Sequence, residues 1–214
     1  MRLTGLSVED FLDQLGSASP APGGGSVAAL AGACAASLCA MVCKITLGKE
    51  RHAVVWPEMR EALARSESCG SRLRALVQED SDAFNAVVAA RRMPRGTEAE
   101  RAARAAALQA AVVHCANVPL ETLEVLAGVA PAIARVFSRG DPACMTDAAT
   151  AAAMVRAGAL AAGYNVRINL PGILDGTARI ELATRATKAG ESILAVTERL
   201  QEEADRLLER GAMT

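Results

Sequence analysis

Pro20-Ala21-Pro22-Gly23-Gly24-Gly25-Ser26 is the stretch from which the rest of the chain is read. Three consecutive glycines do not suit the interior of a helix or strand, because each loses the most backbone entropy on ordering and offers no side chain to pack. Two prolines fix φ immediately upstream, so the loop is stiff on one side and permissive on the other. Ser26 stands where a helix N-cap belongs, and no charge follows from Val27 until Lys44, which predicts a long helix starting at the serine. The first N–H groups of such a helix have no intrahelical partners and carry the positive end of its macrodipole, and a glycine loop lets an anionic ligand group come close to them. Gly23, Gly24, Gly25 and Ser26 are therefore candidate ligand contacts; a tight connection packed closely is the other reading of the same residues.

The uncharged run is long enough to raise a transmembrane span. Its residues are mainly Ala, Gly, Cys and Ser, Lys44 comes early, and membrane insertion rewards Leu, Ile, Phe and Val instead, so a buried central helix and no membrane partner are expected. Ala28, Gly32, Ala36 and Ala40 recur every four residues, with Ala29, Ala33 and Ser37 beside them. Another helix can approach closely along that face, with a second subunit as one source of the partner.

Of the 214 residues, 51% are hydrophobic but only 2% aromatic, so alanine carries much of the apolar content. Alanine is the best helix former, and the composition predicts an all-α fold: one domain over residues 1–214, built as a bundle of long Ala-rich helices. A formal net charge of -1 excludes a general attraction to nucleic acid or anionic membrane. Six cysteines at 34, 39, 43, 69, 115 and 144 form no CxxC pair, and the N-terminus has no basic-then-apolar signal, which fits a reduced, cytoplasmic protein. Cys39 and Cys43 share a helix face, but His52 and His114 show no metal-ligand spacing, and no metal is expected.

Ser7 with Asp10 marks a short helix, with Leu6 and Phe11 as a hydrophobic staple and Gly16 as its end. Gly48 closes the helix of the uncharged run, and Trp56-Pro57 opens another that reaches about Arg92. Leu73, Leu76, Val77, Phe84, Val87 and Val88 follow the 3.6-residue period there, and the residue in the gap of that stripe is Asp80. Asp82 shares the opposite face with Gln78 and Asn85. A carboxylate on the core face is either a hydrogen-bonded structural group or a titrating group in a pocket. Further along, Thr97 to Glu100 is a capping box opening an Ala-rich helix to about Asn117; Pro119 kinks or restarts it, and a helix bent at Pro131 ends near Ser138. Thr146 or Asp147 caps the next helix. Asn165-Val166-Arg167-Ile168-Asn169-Leu170 reads as its end, where Asn165, Arg167 and Asn169 offer donors to a ligand. An amphipathic helix from Asp175 with Ile180, Ala183, Ala186, Ile193, Leu194, Val196, Leu200, Leu207 and Leu208 on its apolar side finishes the chain.

Taken in order, PAPGGGSVAALAGA, MVCKITLGKE, EDSDAFNAV, RRMP, NVPLE and NVRINL resemble the cyclodeaminase/cyclohydrolase family of folate enzymes over nearly the whole chain. The resemblance implies an all-helical homodimer that acts on a tetrahydrofolate derivative with no permanently bound cofactor. It implies cyclodeaminase-type chemistry, 5-formiminotetrahydrofolate closing to 5,10-methenyltetrahydrofolate with loss of ammonia. The alternatives are methenyltetrahydrofolate cyclohydrolysis and a non-catalytic folate-binding protein. No formimino transfer is implied. The family's active-site aspartate falls on Asp80 in the D-x-x-A-F frame, and one carboxyl group that is acid and then base suits both reactions. The glycine loop, Lys44, Lys49, Asp147 and Arg167, with Asn165 and Asn169, are the implied partners of folate's carboxylates and pterin edge. Near Asp147 the chain departs from the family pattern, with Asp141 and Thr146 where relatives often carry Asn and Ser.

Overall fold

The structure, a computed structural model, describes residues 2–211. Six α-helices follow one another: α1 (Val8–Leu15), α2 (Gly24–Leu47), α3 (Trp56–Arg92), α4 (Glu98–Arg139), α5 (Met145–Asn169) and α6 (Gly176–Gly211), with short 3₁₀ turns at their joints and no strand among the described residues. Two starts agree with their sequence signals. Ser7 accepts from the Asp10 N–H at 3.0 Å, and Thr97 and Glu100 satisfy each other's backbone groups as a capping box.

Helices α2 to α5 make an up-and-down four-helix arrangement in which α2 packs on α3 and α5, α4 lies diagonally across from α2, and α6 covers the groove between α4 and α5. Short joints force neighbours to run antiparallel. The small residues of α2 are what let this bundle close. Ala28, Ala29, Ala33, Ala35 and Ala36 are buried, and a Cβ placed on Gly32 would lie 2.6 Å from Leu126 Cδ2 and 3.1 Å from Leu73 Cδ2. The buried part of the small-residue face thus meets α3, α4 and α5 of the same chain, so its close packing needs no second subunit. By length and composition α2 is apolar enough to cross a membrane, yet 67% of its most apolar window lies inside the bundle. Its Cys34, Ser37, Met41 and Lys44 stripe remains exposed, so α2 is a corner helix rather than an enclosed central one.

Several boundaries move from their expected places. Helix α4 is continuous through Pro119 and Pro131, where a kink or restart was expected. Proline removes one N–H and frees the carbonyl four residues back, so the helix continues where that carbonyl finds another donor. For Pro119 the freed group is Cys115 O, and Asn169 Nδ2 of α5 donates to it at 3.3 Å. The start of α5 is capped by neither Thr146 nor Asp147; Asp141 accepts from the Ala143 N–H and caps the 3₁₀ turn ahead of it. In α6, Ile193 and Leu200 are buried, but Ile180, Leu207 and Leu208 are exposed, because only part of this helix faces α4 and α5.

Candidate functional site

The glycine turn does not end at a serine cap. Helix α2 begins at Gly24 with Gly23 as its N-cap, whose carbonyl accepts from the Val27 N–H at 3.1 Å. Ser26 sits at the third helical position and is fully buried. Its hydroxyl turns away from its own helix and donates to Asp80 Oδ2 at 3.0 Å, with its oxygen 3.1 Å from Ser81 Oγ. The anion at the start of α2 is therefore a carboxylate of this chain. Asp80, delivered by α3, occupies the place an N-cap side chain would take.

The glycines make that arrangement possible. A Cβ on Gly25 would lie 2.0 Å from Asp80 Oδ1 and 2.6 Å from its Cγ, while one on Gly24 would lie 3.2 Å from Asn165 Nδ2. Backbone of α2 thus lies directly against the carboxylate on one side and against α5 on the other. No described residue other than glycine has positive φ, and these glycines do not either, so close approach is the requirement here.

Asp80 is half-buried, and burial lifts its carboxyl above the ordinary aspartate range, while the Ser26 hydroxyl and Ser26 backbone N–H pull it partly back. The positive end of α2 also favours its ionised form. The thiol of Cys115 on α4 is pushed up by burial first and then by the negative charge of Asp80, against smaller opposite effects of Arg91 and Asn169. Asn165 Nδ2 donates to Ala161 O at 2.9 Å, and Asn169 Nδ2 to Asn165 O at 2.8 Å and to Cys115 O. Because backbone carbonyls accept only, both amides are oriented, and their Oδ1 atoms are left as acceptors. Asp82 is exposed and accepts from Gln78 Nε2 at 2.9 Å, an ordinary solvated pair.

The structure brings together Gly23, Gly24, Gly25, Ser26, Asp80, Asn165 and Asn169, and separates the other candidates from them. Lys44 lies twenty residues along α2 from Gly24, about 30 Å at 1.5 Å per residue, and pairs with Glu67 at 2.8 Å. Lys49 bonds to Asp141 Oδ2 at 2.5 Å, and Asp147 begins α5 at that same far end. Arg167 lies two residues, or about 200° around the helix, from both Asn165 and Asn169. Its guanidinium covers the Tyr164 ring at 5.0 Å, on the wall of a groove of about 370 Å³ between α5 and α6. Within one chain these four therefore do not share a pocket with Asp80. The residues missed by sequence reasoning are Ser81 and Cys115. Ser81 is adjacent to Asp80 in EDSDAF; Cys115 is betrayed only by the proline four residues after it.

A carboxyl group held on a helix start, with oriented amide acceptors on the neighbouring helix α5, can exchange a proton with a polar, N–H-bearing ligand. The family profile described as formiminotransferase-cyclodeaminase matches residues 7–188, and the chain belongs to this family. It is 37% identical over 169 residues to the methenyltetrahydrofolate cyclohydrolase of Methylorubrum extorquens, covering 79% of this chain and 81% of that protein. It is 34% identical over 173 residues to the formimidoyltransferase-cyclodeaminase of Mus musculus, covering 81% of this chain but 32% of the mouse protein's length. The crystal structure of formiminotetrahydrofolate cyclodeaminase from Thermotoga maritima superposes with a TM-score of 0.86 at 27% identity, over 97% of this chain and 100% of that one.

Proposed function

We propose that the chain is a folate one-carbon enzyme that closes 5-formiminotetrahydrofolate to 5,10-methenyltetrahydrofolate and ammonia, with Asp80 as the proton carrier. The observation that carries this reading is the position of Asp80: a half-buried carboxyl above the ordinary aspartate range, held by Ser26 against Gly25. In the reaction the formimino group enters protonated, as an amidinium; N10 attacks its carbon on N5, and the N10 proton passes to Asp80. The protonated carboxyl then supplies a proton to the departing nitrogen, ammonia leaves, and the carboxylate faces the methenyl cation. The free Oδ1 atoms of Asn165 and Asn169 suit N–H donors, whether on the pterin edge or on the formimino nitrogen. Gly23 and Gly24 present backbone beside them. Homodimeric assembly and a cytoplasmic location belong to the same reading.

A second reading, hydrolysis of the methenyl bridge to 10-formyltetrahydrofolate, is favoured by the 37% identity to the Methylorubrum cyclohydrolase over most of both chains. Water then replaces ammonia at the same carbon, and Asp80 acts first as base. One absorbance assay of the purified protein separates the two: methenyl formation from the formimino compound is expected, and methenyl loss without formation makes the second reading the right one. No change from either compound would overturn both.

A further inference from the structure

Ser26 needs an explanation of its own. It is fully buried in the first turn of α2 without capping that helix, and a buried hydroxyl is costly unless hydrogen-bonded. Its partners are Asp80 Oδ2 and Ser81 Oγ, consecutive residues of α3, and Ser81 is itself buried. A hydroxyl has one proton to give and two lone pairs to receive. With Asp80 ionised, Ser26 must donate to the carboxylate, which obliges Ser81 to donate to Ser26 Oγ. With Oδ2 protonated, the carboxyl donates to Ser26 Oγ, and the Ser26 proton turns to Ser81 Oγ.

We propose that Ser26 and Ser81 are positioning residues: a hydroxyl pair that reverses direction as Asp80 gains or loses its proton, keeping the carboxyl hydrogen-bonded and in place in both states. Only hydrogens rotate. The pair neither takes nor gives up a net proton, so the proton Asp80 gains comes from the ligand and returns to it. This rests on the reading of Asp80 as the proton carrier. The geometry explains why a serine rather than a lysine or a backbone carbonyl faces the acid, since a donor-only group would oppose protonation and an acceptor-only group would oppose ionisation.

Few other charges bear on Asp80. Helix α4 contributes the Cys115 thiol, which burial keeps protonated; Arg91 on α3 acts on that thiol; α5 contributes the amides of Asn165 and Asn169 and α2 contributes Ser26. The titration of Asp80 therefore reports mainly its hydroxyl partner and its burial.

The test is the side-chain ¹³C titration of Asp80 in the ligand-free protein, beside turnover, for Ser26→Ala, Ser81→Ala, Asp80→Asn and the Ser26→Ala/Asp80→Asn double variant. Ser26→Ala removes a donor to the ionised form and should move the Asp80 titration upward by about one pH unit. Ser81→Ala leaves that donor but removes the acceptor the reversed pair needs, so its shift should be downward. Turnover should fall about tenfold in Ser26→Ala with KM nearly unchanged, and no further in the double variant than in Asp80→Asn alone. An unmoved titration in Ser26→Ala, a change confined to KM, or shifts of the same sign in both serine variants would overturn the proposal. Near-native turnover of Asp80→Asn would instead remove Asp80 from the chemistry, a failure that the ligand-free titration keeps distinct.

Discussion

Asp80 occupies the space that a side chain at Gly25 would need: a Cβ there falls 2.0 Å from Oδ1 and 2.8 Å from Oδ2. The third glycine of the turn therefore serves the carboxylate rather than chain flexibility. Gly25→Ala should push the carboxylate off the helix start and lower turnover by roughly 10²-fold, the usual size of an acid–base contribution. Gly24→Ala meets only the Asn165 amide at 3.2 Å and should cost much less. Steady-state rates of the two variants, with circular dichroism to confirm folding, check the ranking.

Asp80→Asn should lower turnover by about 10²-fold or more, whereas Asp82→Asn, whose partner is a solvated Gln78, should be nearly silent. Stability supplies an independent reading. The folded-state pKa of Asp80 lies above the unfolded value of 3.8, so ionisation disfavours the folded state and wild-type stability declines as pH rises through that range. The Asn variant escapes that decline. Its melting temperature should equal or exceed wild type at pH 7, with the gap closing below about pH 4. A large loss of stability in Asp80→Asn at neutral pH would mean that the acid is structural.

Asn169 and Pro119 are expected to be thermodynamically coupled, because the Asn169 amide bonds the carbonyl that Pro119 leaves free. Asn169→Ala should cost about 1 kcal/mol, the scale of a buried backbone group losing its partner. Pro119→Ala restores a helical N–H to Cys115 O, so in that background the Asn169 change should cost less. Denaturant melts of the two single variants and the double variant measure the coupling; strict additivity would contradict it.

At the far end of the bundle Asp141 is buried and bonded by Lys49, with Arg51 and His52 both 3.3 Å from the same oxygen. The Lys49 hydrogen bond foremost, then the Ala143 N–H, hold its carboxyl well below the usual range. A depressed folded pKa gives stability that is present above the unfolded value of 3.8 and is lost as pH falls toward the folded one. Asp141→Asn should therefore lower the melting temperature at pH 7 by several degrees, roughly, and the difference from wild type should shrink steadily below about pH 4. Thermal melts from pH 3 to pH 7 give the comparison.

Much of this was legible beforehand. The small-residue spacing from Ala28 to Ala40 announced a tightly packed helix, the 3.6-residue stripe singled out Asp80, and the Ser7 and Thr97 caps stand where the sequence placed them. The misjudged features share a cause. A proline interrupts a helix in any local reading, and only the donor that Asn169 brings from α5 keeps α4 continuous at Pro119. Ser26 looks like an N-cap by position, yet its hydroxyl goes to a carboxylate fifty-four residues away in sequence.

Apart from the continuity of α4 through its prolines, local sequence determined the helices, because periodicity, alanine content and capping act over a few residues and do not depend on what lies across the bundle. It also determined that Asp80 faces inward, since the side chains of one helix keep their angular order wherever the helix goes. Tertiary structure decided which candidates share a site. Asn165 and Arg167 are two residues apart but on opposite sides of α5, and Gly24 and Lys44 belong to one helix but lie at its two ends. Gly25, Ser26, Asp80 and Asn165 meet because α2, α3 and α5 pack at close range, a distance set by glycine and alanine at their crossings and by nothing that any one segment contains.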